Sequence, residues 1–131
     1  MPNNLTVSAE PVEGYHALVM LWEHDIRSEE VQPAFDTITA HLNAANTPMY
    51  VLVDLLKDPQ FPLLETISGA LWGPFRNPML KEWLVIGSNN LARVIARMLM
   101  NATHRNNIRW FKTYDEAKAY MQKADIKEAI S

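Results

Sequence analysis

The sequence predicts an α/β chain built on a mixed, mostly parallel sheet of about five strands with four helices, in the order β-β-α-β-α-β-α-β-α. His16–Trp22, Met49–Asp54 and Glu82–Gly87 are near-continuous apolar runs, the pattern of strands covered on both faces. Between and after them the apolar residues recur at spacings of three and four, the stripe of an amphipathic helix. Strands that alternate with helices in this way pair in parallel through right-handed crossovers.

The elements follow in order. Leu5, Val7 and Ala9 alternate with polar neighbours, as a strand with one wet face does. Pro11 and Glu13-Gly14 are turn signals, and so short a link to the next strand makes an antiparallel hairpin with the first strand at or near an edge. Ser28 offers an N-cap with Glu29 and Glu30 behind it. Val31, Phe35, Ile38, Leu42 and Ala45 form a stripe, and Pro33, which removes a helical donor, predicts an irregular start. The segment from Asp54 to Lys81 holds Pro59, Pro62, Pro74 and Pro78. Pro62 suits a first helical position, Leu63, Leu64, Ile67 and Leu71 make a short stripe, and Gly73-Pro74 stops it. Ser88 or Asn89 caps a helix with Leu91, Val94, Ile95, Met98 and Leu99 on one side and Arg93, Arg97 and Met100 on the other. Ile108–Phe111 is a short strand. Thr113 to Glu116 is a capping box, followed by Ala117, Tyr120, Met121 and Ala124.

Composition narrows the function. The chain has 131 residues and 15.0 kDa, the size of a single domain. It contains no cysteine, which excludes disulfides, thiolate metal sites and cysteine nucleophiles. A hydrophobic fraction of 48% with 21% charged residues is a globular balance. The net charge of −3 argues against nucleic acid as a partner. The longest apolar run, Ala17 to Trp22, is far too short to cross a bilayer. The opening Met-Pro-Asn-Asn has no secretion pattern, so the expected location is the cytoplasm. Charge is uneven: residues 1–65 carry −8 and residues 66–131 carry +5. Such asymmetry marks either an anionic partner or two halves that neutralise each other.

The "YVLVDL" strand ending in Asp54, the apolar "KEWLVIG" strand and the closing "IRWFKTYDEAKAYM" resemble the SpoIIAA-like (STAS/SEC14-like) family of the STAS-domain fold. The likeness spans nearly the whole chain. It implies a non-catalytic module that binds a protein partner or a small apolar ligand. The regulatory serine of anti-sigma-factor antagonists, expected at the start of the helix after the Asp-ended strand, is replaced here by Pro62 and Leu63, so a phosphoserine switch is not expected.

Two groups of residues then stand out. Phe61 to Leu80 is too rich in large apolar side chains, and too broken by proline and glycine, for one helical stripe to bury them all. Phe61, Leu64, Trp72, Phe75 and Met79 are therefore candidates to line a groove for an apolar small molecule or lipid, with Trp72 and Phe75 as anchors of a gate, or else as closures of the core. Arg93, Arg97 and Arg105 are candidates to meet anionic headgroups in a peripheral membrane contact; the alternative is a solvated helix face. The ends of the parallel strands, where ligands of such sheets bind, offer Glu23-His24-Asp25, Asp54, Ser88 and Lys112. A receiver-like reading makes Asp54 a phospho-acceptor, with Asp25 helping to hold Mg²⁺ and Ser88 and Lys112 on the phosphoryl oxygens. Its obstacle is the single helix between Asp25 and Asp54, where receivers have a further strand–helix unit. The four histidines show no ligand spacing, and no hydrolase, Walker or dinucleotide motif is present. No catalytic residue, metal or cofactor is expected. The same apolar surface also suits a protein partner or a symmetric homodimer.

Overall fold

Right-handed crossovers between adjacent parallel strands explain the whole architecture. In the computed structural model, which describes residues 7–11, 15–22 and 25–130, the elements are β1 (Val7–Pro11), β2 (Ala17–Trp22), α1 (Ser28–Ala44), β3 (Met49–Asp54), α2 (Leu63–Trp72), β4 (Leu80–Ile86), α3 (Asn90–Thr103), β5 (Ile108–Phe111) and α4 (Tyr114–Ile130). A 3₁₀ turn over Pro74–Arg76 follows α2. The five strands lie in the order β1-β2-β3-β4-β5. β1 runs antiparallel to β2, and β2 to β5 are parallel. Each crossover advances one strand in the same direction, so α1, α2 and α3 share one face of the sheet.

The side chains divide accordingly. Leu18, Met20, Trp22, Val51, Val53, Trp83, Val85 and Ile108 pack with Phe35, Ile38 and Leu42 of α1 and Ile95 and Leu99 of α3. The alternate strand positions, Ala17, Tyr50, Leu52, Leu84 and Ile86, meet Ala117 and Met121 of α4 on the other face. This is the period-two alternation of a strand covered on both sides. β3 is buried at every position.

Local signals were mostly placed correctly, with instructive exceptions. Arg27, not Ser28, is the N-cap of α1. Its backbone N–H donates to Glu30 Oε1 at 2.9 Å, and the Ser28 hydroxyl instead donates to Glu65 Oε2 of α2 at 2.7 Å. Pro33 sits inside a helix that already starts at Ser28, on its exposed side. Pro62 is the N-cap of α2 rather than its first residue. Asn89, not Ser88, caps α3, its Oδ1 accepting from Ala92 N at 2.9 Å. At the start of α4, Thr113 Oγ1 accepts from Glu116 N, and Glu116 Oε1 accepts from Lys112 N. Leu5, the Glu13-Gly14 turn, Glu23 and His24 lie outside the described residues.

The largest correction concerns α2. Its buried residues are Thr66, Gly69 and Ala70, whereas Leu63 and Leu64 are exposed. The reason is the close approach of α1. A Cβ on Gly69 would stand 2.7 Å from Phe35 Cδ2 and 3.3 Å from Val31 Cγ1. Only a small-residue face lets α2 lie this near its neighbour; Leu63 and Leu64 are turned away as a consequence, while Ile67 and Leu71 pack partly buried at the edge of the core. Gly69→Ala gains helix propensity of about 1 kcal/mol. The clash with a fully packed ring outweighs it, and a net loss of about 1–2 kcal/mol is expected in urea unfolding. Unchanged or increased stability would show that Phe35 yields freely.

Candidate functional site

The crossover face encloses an apolar cavity between the sheet and α1, α2 and α3. Trp22, Phe35, Phe61, Phe75 and Trp83 supply aromatic walls, and Thr66 and Ala70 of α2 close it from above. The space open to the centre of a water-sized sphere is about 50 Å³. The rings contact one another edge-on or tilted: Trp22 and Phe61 centroids are 5.1 Å apart, Phe75 and Trp83 5.0 Å. Two polar atoms of the wall residues, Trp22 Nε1 and Thr66 Oγ1, are buried without a hydrogen-bond partner. An unmade bond of this kind costs about 1–3 kcal/mol, so it is a feature to explain.

The proposed groove residues are thereby split. Phe61 and Phe75 are buried wall residues of the cavity, and Met79 packs half-buried against the same core. Phe75 is thus part of the core and not an exposed anchor. Leu64 and Trp72 lie outside, 73% and 71% exposed, on the opposite side of α2 from Thr66 and Ala70. The guanidinium of Arg76 stacks over the Trp72 ring, 4.3 Å from its centroid. Trp22, Thr66, Phe35 and Trp83 were not singled out from the sequence as ligand-lining residues. Thr66 was the available signal, a polar residue on the side of α2 opposite the apparent leucine stripe.

The arginines also separate. Arg105 donates to Phe75 O at 3.2 Å and to Leu80 O at 3.0 Å. It ties the loop after α3 to the 3₁₀ turn and β4, so a headgroup role is not open to those two donors. Arg93 stacks over Trp110, 4.3 Å from the ring centroid, and Trp110 packs half-buried against the core. Arg97 is exposed.

The strand-end residues do not act as one cluster. Asp54 is 6% exposed. Its Oδ1 accepts from Leu56 N at 2.9 Å and its Oδ2 from the Tyr114 hydroxyl at 2.5 Å. Asp25 is exposed and accepts from Gln60 N at 2.9 Å. Ser88 and Lys112 are exposed. A phospho-acceptor needs an accessible carboxylate oxygen and metal-holding acids beside it. The Asp54 oxygens are engaged, and the described residues hold no group of three or more His, Asp or Glu suited to a metal. Gly87, at φ +112°, supplies the turn beyond β4, where a Cβ would come within 3.0 Å of the Leu55 carbonyl.

Asp54–Tyr114 is instead, among the described residues, one of two side-chain hydrogen-bonded ties that hold α4 to the sheet. In the other, Glu82 accepts from the Tyr120 hydroxyl at 2.5 Å and from Arg109 Nε at 3.0 Å. Burial, and then the bonded carboxylate, raise both tyrosine hydroxyls above their ordinary pKa.

No family model matches the chain, and no curated protein matches it in sequence. A solved structure does. The match is to the 2.25 Å crystal structure of an uncharacterized DUF3478-family protein with a SpoIIAA-like fold from Shewanella loihica PV-4. The TM-score is 0.59 with 18% identity, over 92% of this chain and 98% of that one. The fold is SpoIIAA-like. The likeness agrees with the expected mixed α/β fold class, and the five strands and four helices follow the expected order. No helix among the described residues is long and apolar enough to cross a membrane.

The raised Tyr114 hydroxyl gives a pH dependence with a definite sign. The unfolded group ionises near pH about 10 and the folded one higher. Its contribution is therefore complete below pH about 10 and is lost as pH rises toward the folded value. Spectrophotometric titration is expected to show two late-ionising tyrosines, Tyr114 and Tyr120, and Tyr114→Phe removes one of them. That variant leaves a buried Asp54 oxygen without its donor and is expected to cost about 1–3 kcal/mol at neutral pH. A variant as stable as the parent would show the tie to be ornamental.

Proposed function

We propose that this chain is a non-catalytic SpoIIAA-like module that binds a small, mostly apolar molecule bearing one hydrogen-bond acceptor, held between the sheet and α2. The observation that carries the reading is the aromatic-walled cavity whose wall residues hold two buried, unpartnered donors, Trp22 Nε1 and Thr66 Oγ1. A carbonyl or carboxyl group would satisfy one or both donors. An alkyl or aryl body would fill space that, when empty, forfeits dispersion contacts. With α2 in place the cavity admits only a few heavy atoms, so binding a larger body requires α2 to move outward. The helix is suited to that. Its fully buried residues are the small Thr66, Gly69 and Ala70, and Ile67 and Leu71 are only partly buried against the core, so a modest apolar area holds it down.

Thr66→Val tests the reading through two effects of opposite sign. Replacing an unpartnered buried hydroxyl with a methyl is expected to raise the stability of the ligand-free protein by about 1 kcal/mol. It removes a donor that the ligand uses, so retention falls roughly tenfold. Native mass spectrometry of protein purified without detergent reads the retention. The expected spectrum shows an added mass on the order of a few hundred daltons, the size of pocket-bound molecules, which is lost on denaturation and diminished in the variant. A bare chain mass in the parent would overturn the reading and favour a protein-interaction role on the same fold.

A further inference from the structure

We propose that a cleft between the 3₁₀ turn after α2 and the end of α3 binds the dianionic group of a phosphate or a phosphate monoester. Phe75, Arg76, Ala102, Thr103 and Arg105 line it and leave about 310 Å³ of space, near the low end of the range for small-molecule sites. It shares only Phe75 with the aromatic cavity, and the inference is independent of that cavity's occupant. Arg105 reaches the carbonyl of Leu80 at the start of β4, so the cleft lies at the opposite end of the sheet from Asp54 and Ser88. Its wall is mostly polar, and an apolar ligand gains little there.

Charge selects the ligand. From Thr66 to Tyr114 the chain carries seven bases and one acid. That acid, Glu82, is taken up by Tyr120 and Arg109 on the α4 face. The basic half of the sequence thus has little of its own to neutralise it, and the cleft brings two of its arginines together. Neither Arg76 nor Arg105 belongs to an ion pair among the described residues. Both are nevertheless held in place. Arg105 donates to the carbonyls of Phe75 and Leu80, which orient the guanidinium without cancelling its charge. Two of its five N–H groups are used and three remain. Arg76 stacks over the Trp72 ring, and a stacked guanidinium keeps its donors free in its own plane. The end of α3 opposes an anion with about half a negative charge, and two full positive charges outweigh it. Guanidinium groups from two separate elements can each take a different edge of a tetrahedral group with three terminal oxygens and a charge near −2. A carboxylate offers two oxygens in one plane and a single charge, so it fills the arrangement less well.

The test is titration of the nitrogen-labelled full chain with inorganic phosphate, followed by two-dimensional NMR. A salt concentration of about 0.15 M screens exposed charges more than about 8 Å apart. Saturable shifts are expected in the amides of Arg76 and of Thr103 to Arg105. Phenyl phosphate is expected to move the same signals, and acetate at the same concentration to leave them in place. Arg76→Gln removes an exposed guanidinium outside the core and is expected to weaken binding roughly tenfold. Arg105→Lys keeps the charge and loses the fork, and is expected to weaken it as well. Arg97→Gln removes the same charge from α3 away from the lining of the cleft, and its affinity is expected to match the parent's. Absence of a saturable shift would overturn the proposal. So would equal losses in Arg76→Gln and Arg97→Gln, the mark of an adventitious ion only, or equal binding of acetate. None of these readouts depends on a retained ligand mass, so failure here and failure of the cavity reading are separable.

Discussion

The constraint on which this structure depends is the handedness of the strand–helix–strand crossover. In a sheet whose parallel strands follow one another in sequence order, right-handed connections place every crossover helix on the same face. α1, α2 and α3 must therefore crowd together over four strands, and α4 alone is left for the opposite face. Three helices side by side need a close contact somewhere. Gly69 against Phe35 provides it. The packing demand on α2 thus comes from topology, and the small residues of its inner face are the response.

The two faces of the sheet consequently have different characters. The α4 face is fastened by directional polar bonds, Asp54 to Tyr114 and Glu82 to Tyr120 and Arg109. Each combines a carboxylate with a phenol or guanidinium, the stronger class of hydrogen bond. The crossover face has polar ties only at its margins, Ser28 to Glu65 and Arg105 to the Phe75 and Leu80 carbonyls; its interior is held by ring packing and apolar area, and it is there that the aromatic cavity and the unpartnered Trp22 and Thr66 atoms occur. α2 has two contrasting sides: its inner side roofs the cavity, and its outer side carries the exposed Leu64 and Trp72.

Much of the fold was legible because it rests on periodicity. Unbroken apolar runs gave β2, β3 and β4, and the Thr113–Glu116 box gave the start of α4. The α2 region was misread for a physical reason. Its leucines outweigh its small residues in any hydrophobic pattern, but a helix wedged beside a phenylalanine ring buries what fits, and what fits is Thr66, Gly69 and Ala70. The candidate site was legible only in part for a related reason. Phe61 and Phe75 could be picked out from a broken aromatic-rich segment, whereas Trp22, Phe35 and Trp83 looked like ordinary core because nothing local distinguishes a cavity wall from a filled one. Asp54 was visible as a polar end to an apolar strand. Its partner, Tyr114, lies 60 residues away, and only the placement of α4 brings them together.

The account holds that the crossover face is the binding face and that the α4 face is structural. Titration of nitrogen-labelled protein with a medium-chain carboxylic acid, followed by two-dimensional NMR, tests this most directly. Each of the four tryptophans gives one indole N–H signal. The account predicts that the Trp22 indole signal moves downfield as its unpartnered N–H finds an acceptor, together with the amides of α2 around Thr66, while the amides of α4 stay in place. A still Trp22 signal with shifts confined to α4 would contradict it.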